Sequence, residues 1–328
     1  MLYPLTFQPI FKERVWGGRN IERLYGKPLP PGKPIGESWE ISDRPGDESV
    51  IANGPLAGKT LRWLMENHGA ALLGRDLGVG ARFPLLVKIL DAQEKLSLQV
   101  HPPAALARQL GGEPKTEMWH ITDAGPEADL YVGLKQGVTR AVFEEKLRAG
   151  AVAECFHRHL VKAGDVMFLP SGRVHAIGAG NVLFEIQQNS DTTYRVFDWN
   201  RLGLDGKARE LHVAESLASI DFNDFEPPLI QSKYSRNPAF AVRYLVDDPL
   251  FRADACKVKR GERFHLRSSE WQILAVLKGR LHAAGGGQEL TLKAGDFCLL
   301  PASVERTSLR AETALEFLHV QDGGKRDQ

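Results

Sequence analysis

Two segments of the chain repeat one another without a gap. VKAGDVMFLPSGRVHAI, residues 161–177, aligns with LKAGDFCLLPASVERTS, residues 292–308, through a shared Lys-Ala-Gly-Asp and a shared Leu-Pro. Each copy reads as a glycine turn, a strand and a proline turn, and the recurrence predicts two related β-barrels in one chain. Gly164 then corresponds to Gly295, Pro170 to Pro301, and His175 to Arg306. Only the first copy keeps a histidine beyond the second turn. A guanidinium does not ordinarily ligate a cation, so metal chemistry is expected in the first barrel and not in the second.

At 328 residues the chain is long enough for two such cores, and 32 Gly with 19 Pro suits a β protein with many turns. A net charge of +1 leaves no overall field to draw in nucleic acid or an acidic membrane surface, so an anion has to be captured locally. Cys155, Cys256 and Cys298 are odd in number and widely spaced, which indicates neither a disulfide framework nor a cysteine zinc site and fits a reducing cytoplasm. Charged Lys12, Glu13 and Arg14 interrupt the N-terminal segment before a signal-like apolar run can form, and no stretch reaches membrane-spanning length. A soluble, unexported protein is expected.

Short strands and loops are predicted around SWEIS, then a helix over KTLRWLMENHGAALLG that stops at Gly74. FPLLVKIL and KLSLQVHP are predicted strands, joined as a hairpin by the polar turn DAQE. Further helices are expected at PAALARQL, at VTRAVFEEKLRAGAVAECF with a break at Gly150, and at HVAESLASI. The Pro-rich FEPPLIQSKYSRNP marks a domain boundary.

Alternation in KLSLQVHPP places Ser97, Gln99 and His101 on one strand face, opposite Leu96, Leu98 and Val100. That face carries short polar and metal-binding groups where an ordinary exposed face carries flexible charge. KTEMWHI puts Lys115, Glu117 and Trp119 together in the same way. Gly164 to His175 resembles the second sequence motif of cupin barrels: Gly, five residues, Pro, one, Gly, two, His. In that family the histidine binds a metal with ligands from an earlier strand. Gln99, His101, Glu117 and His175 make a set of two imidazoles and two oxygens acceptable to Zn²⁺, Fe²⁺, Mn²⁺ or Co²⁺. His157 and His159 also form an HxH pair, but at a predicted helix end and without a following glutamate, which disfavours a second metal site.

FPLLVKILDAQEKLSLQVHP resembles the signature of type I mannose-6-phosphate isomerases. GESWEIS, KTEMWH, LPSGRVHAIG and EIQQNSDTTYRVFDW are similar to further blocks of that family in matching order. The short spacing between Glu117 and His175 resembles the short bacterial form. The resemblance implies a mainly β fold of two cupin-type jelly-roll barrels with a few added helices. Residues 1–230 would form the catalytic barrel with helical additions, and 231–328 a degenerate barrel without metal.

It also implies a cytoplasmic aldose–ketose isomerase that interconverts mannose 6-phosphate and fructose 6-phosphate through an enediol. One Zn²⁺ per chain would be held by Gln99, His101, Glu117 and His175. Arg195 matches the family's essential arginine, and Lys115 is placed to assist proton transfer or to contact sugar oxygens. Lys88, costly in an apolar strand unless it faces a polar cavity, joins Ser97 and Glu185 as expected substrate-binding residues. The partner is then a small sugar phosphate, with no nucleic acid and no membrane. Two alternatives use the same barrel: a metal-dependent oxygenase, which the cationic residues disfavour, and a non-catalytic sugar-phosphate-binding protein.

Overall fold

The computed structural model describes residues 1–267 and 269–323. Strands dominate, and five α-helices occur among the described residues: Asn20–Tyr25, Leu61–Leu73, Ala104–Ala107, Arg140–Arg148 and Val213–Ser219. Thr60 caps Leu61–Leu73 by accepting from the Trp63 amide, and Gly74 ends the helix at φ 80, as its sequence requires. Gly150, at φ 71, separates Arg140–Arg148 from the short 3₁₀ turn Val152–Cys155, which is the expected break. No helix among the described residues is long and apolar enough to cross a membrane.

The chain forms two compact units. One comprises residues 11–38 and 87–230, the other 1–10, 39–86 and 231–328. The first unit ends at residue 230, and residues 1–10 and 39–86 belong to the second. Backbone pairing accounts for part of this: Leu5 bridges Leu299, and Phe7 bridges Ile51.

In the first unit a six-stranded sheet runs in the order Ile10–Gly18, Ile35–Ile41, Leu85–Ala92, Asn181–Gln188, Glu117–Ala124, Val166–Leu169. The strands Ile35–Ile41 and Leu85–Ala92 leave this unit at residues 38 and 87. A five-stranded sheet runs Tyr194–Phe197, Leu98–Val100, His175–Ile177, Asp129–Leu134, Phe156–Leu160. Trp16, Leu90, Trp119, Ile121 and Leu183 from one sheet pack against Leu130, Val132 and Ile177 from the other, the face-to-face packing of a sandwich or barrel. The expected hairpin between FPLLVKIL and KLSLQVHP does not form. Leu85–Ala92 and Leu98–Val100 lie in different sheets, so the DAQE turn carries the chain across the core.

The second unit packs a five-stranded sheet, ordered Phe240–Asp247, Phe251–Val258, Leu315–Asp322, Gln272–Lys278, Phe297–Leu300, on a four-stranded one, ordered Arg263–Arg267, Arg306–Ala311, Arg280–Gly285, Gln288–Lys293. Its interior is apolar, with Val258, Leu274, Leu281, Leu309 and Phe317 among the buried members.

The repeat is preserved bond for bond. Gly164 and Gly295 both lie at positive φ, and each donates its amide across the sheet, to Ile121 O at 2.8 Å and to Val276 O at 2.9 Å. The Asp165 and Asp296 carboxylates each accept from the lysine amide three residues before, at 2.9 and 2.8 Å. The copies diverge where chemistry is expected. Leu169 pairs with Glu117 and its counterpart Leu300 with Gln272, while Arg306 lies exposed at a strand start and His175 is buried.

Candidate metal centre

Cross-strand register assembles the site. His175 and Arg195 both pair with Gln99, from opposite sides of the short Leu98–Val100 strand, so all three side chains share one sheet face. His101 follows on the same chain, and the opposing sheet supplies Glu117. His101, Glu117 and His175 are 1%, 0% and 1% exposed. One ligand atom from each lies within 4.8 Å of the others, the only such group of three or more His, Cys, Asp or Glu found among the described residues.

Both imidazoles are held in one orientation. His101 Nδ1–H donates to Thr192 O at 2.8 Å and His175 Nδ1–H to Arg173 O at 2.9 Å, which leaves the Nε2 lone pairs facing inward. Burial and the neighbouring Lys115 lower His101 to about 3, and burial lowers His175 against the pull of Glu117. Both rings are therefore neutral at neutral pH. Burial opposes the charge on Glu117, but the Lys115 ammonium holds it well below the usual carboxylate range.

Two lone pairs thus face a carboxylate, with His175 Nε2 3.3 Å from Glu117 Oε1 and His101 Nε2 3.7 Å from Oε2. His101 Nε2 and Glu117 Oε1 are buried without a hydrogen bond. Such an arrangement is repulsive unless positive charge lies among the atoms. Lys115, 2.9 Å from Glu117 Oε2, answers one oxygen only, so the donor set fits a divalent cation. Gln99 adjoins it, its Nε2 donating to His175 Nε2 at 3.2 Å. Service as an oxygen ligand would require the amide to turn over.

Beside the triad lies a cavity of about 530 Å³, within the range of small-ligand sites. Lys88, Ser97, Gln99, Lys115, Glu185 and Arg195 all line it, so every residue singled out from the sequence lies at the cavity or in the buried triad behind it. Lys88 Nζ lies 3.3 Å from Glu185 and 3.6 Å from Glu37, so the buried lysine is paired, as its cost demands. Burial raises Glu185 above its usual range despite Lys115 and Lys88. Glu117 and Glu185, in turn, hold the Lys115 ammonium above its ordinary value against burial.

Arg195 occupies a different electrostatic setting. Its Nη1 donates to Glu210 O at 2.7 Å, while Nε is buried and unbonded. Burial and then Arg209 disfavour its charge. Arg209 also lines the cavity, and Asp198 is shared by Arg201 and Arg209, with Glu94 a further 3.9 Å partner of Arg201.

Sequence reasoning missed Glu37, Asp191 and Arg209 as cavity residues. Glu37 lay within the quoted block GESWEIS and Asp191 within EIQQNSDTTYRVFDW, but Arg209 is in a loop with no motif to mark it. The His157 and His159 rings stack edge to face at 4.4 Å, His159 bonds Pro227 O, and neither joins the metal-capable group.

Comparisons with known proteins agree with this picture. Residues 5–127 match the family model for the type I phosphomannose isomerase catalytic domain. Mannose-6-phosphate isomerase ManA of Bacillus subtilis is 35% identical over 91% of this chain and 93% of its own length. The mannose-6-phosphate isomerase of Streptococcus mutans is 32% identical over 93% of this chain and 94% of its own. A crystal structure of mannose 6-phosphate isomerase from Bacillus subtilis superimposes with a TM-score of 0.88 at 30% identity, covering 97% of this chain and 99% of that one.

Proposed function

The chain belongs to the type I phosphomannose isomerases, a metal-dependent family, and on that footing we propose that it interconverts mannose 6-phosphate and fructose 6-phosphate at the cavity beside His101, Glu117 and His175. The observation that carries this reading is the convergence of three buried, oriented ligand atoms at a cavity whose wall holds separate cations.

Gln99, His101, Glu117 and His175 would hold one Zn²⁺, a divalent ion that accepts imidazole and oxygen ligands together. Bound there, it supplies Lewis-acid polarisation of sugar oxygens. Aldose–ketose exchange moves a proton between C1 and C2 and spreads negative charge over O1 and O2. Lys115 keeps its proton, so its work is donation of a charged hydrogen bond to a sugar oxygen and not proton abstraction. Lys88, fixed by Glu37 and Glu185, and Ser97 offer further donors to the sugar hydroxyls. Arg195 has a buried, unbonded Nε, and burial and Arg209 disfavour its charge, which an incoming dianionic phosphate or enediolate would relieve. Buried, unpaired cysteines are compatible with a cytoplasmic setting.

A coupled assay that follows fructose 6-phosphate formation from mannose 6-phosphate tests the reading. Turnover that falls on chelation and returns with Zn²⁺ is expected, and a metal-replete protein without turnover would overturn it.

A further inference from the structure

The second unit carries a concentrated positive surface that the isomerase reaction does not use. On the outer face of its four-stranded sheet, Arg263 lies directly opposite Arg310, and Arg267 directly opposite Arg306. All four side chains are exposed. Like charges directly opposite in an antiparallel pair are destabilising, and two such pairs on one face are a standing cost in a chain whose net charge is only +1. The same face adds His265 and, across the next strand, His282, which pairs with Arg310. Two carboxylates answer this charge: Glu312, 3.2 Å from Arg310, and Glu289, 3.4 Å from His282.

The face is also concave. Arg263, His265, His282, Ala284, Ser308 and Arg310, with Leu309, line a depression of about 400 Å³. Guanidiniums from adjacent strands border it, imidazoles and a hydroxyl supply further donors, and Ala284 adds a small apolar patch. We propose that this depression binds a phosphomonoester dianion, with Arg263 and Arg310 as the paired phosphate donors. A phosphate between the two guanidiniums turns their mutual repulsion into two charge-assisted contacts. No Phe, Tyr or Trp lines the depression, so it lacks the large stacking platforms on which single-stranded nucleic acid lies, which favours a compact occupant.

The test is calorimetric titration of the full-length, metal-loaded protein and of an Arg263→Gln/Arg310→Gln variant with inorganic phosphate, with mannose 6-phosphate and with adenosine monophosphate. The three arms separate free phosphate, the enzyme's own substrate class and a nucleotide as sources. Wild type is expected to show a saturable phosphomonoester site, additional to the one at the cavity, that weakens at least 10-fold in the double variant while mannose 6-phosphate turnover stays unchanged. An Arg263→Lys/Arg310→Lys variant should retain part of the affinity, and the double glutamine variant should melt at the same or a higher temperature because the repulsion is relieved. Equal binding by wild type and the double glutamine variant overturns the site. So does a protein that binds an oligonucleotide at this face while ignoring all three small anions, which assigns the surface to a different partner.

Discussion

At the scale of single residues, the proposed function separates groups that would hold a cation from groups that would meet substrate charge. His101→Ala and His175→Ala should each lose most of the bound metal, read by elemental analysis of purified protein. Full occupancy in both variants would exclude these histidines as ligands. Arg195→Ala should keep its metal and its fold while kcat falls on the order of 100-fold, because a charge-assisted contact made in the transition state is removed. A rise in KM alone would place Arg195 at the phosphate as a uniform-binding group instead. The ligand candidates were legible in sequence because strand alternation and the Gly-Pro-Gly-His turn announce which side chains share a face. Arg209 was not legible, since its approach to the cavity depends on how a loop without a motif returns over the barrel.

At the scale of elements, two strands approach so closely that only glycine fits. A Cβ on Gly17 would come within 2.3 Å of the Gly36 nitrogen, a backbone atom that cannot swing aside. Gly17→Ala should therefore cost about 2–3 kcal/mol or more, measured as a lower urea midpoint at unchanged slope. An unchanged midpoint would show that the two strands can part without loss. The repeated barrel teaches the complementary lesson. Its turn is encoded residue by residue, so KAGD builds the same hydrogen bonds in both copies. The place of Glu117, however, is taken in the second copy by Gln272, which bonds His319 at 2.6 Å and carries no charge to hold a cation. No motif revealed that substitution, because it becomes visible only through the pairing of Leu300 with Gln272. The DAQE turn is a similar case. Its polarity marks a reversal of the chain, but only packing decides that the reversal leads into the opposite sheet.

At the scale of the whole molecule, acid sensitivity follows from buried neutral histidines in both units. His101 lies near 3 and His319 near 4, in each case chiefly through burial, and His175 is lowered for the same reason. An unfolded histidine titrates near ~6.5. Below that pH the unfolded chain takes up protons that the folded one refuses, so stability is full above about 6.5 and declines as pH falls toward the folded values. The urea midpoint of metal-free protein should fall between pH 7 and pH 5, by on the order of a few kcal/mol in unfolding free energy. Its constancy over that window would contradict the assignment of neutral buried rings. What the sequence determined by itself is local: turn chemistry, strand faces, helix ends and the repeat, all set by interactions among residues close together in the chain. What only tertiary structure decided is which faces meet. The opposition of Glu117 to His175, the row Arg195, Gln99, His175, the gathering of guanidiniums around Asp198, and the assignment of residues 1–10 and 39–86 to the second unit all depend on long-range pairing and burial, which no local pattern records.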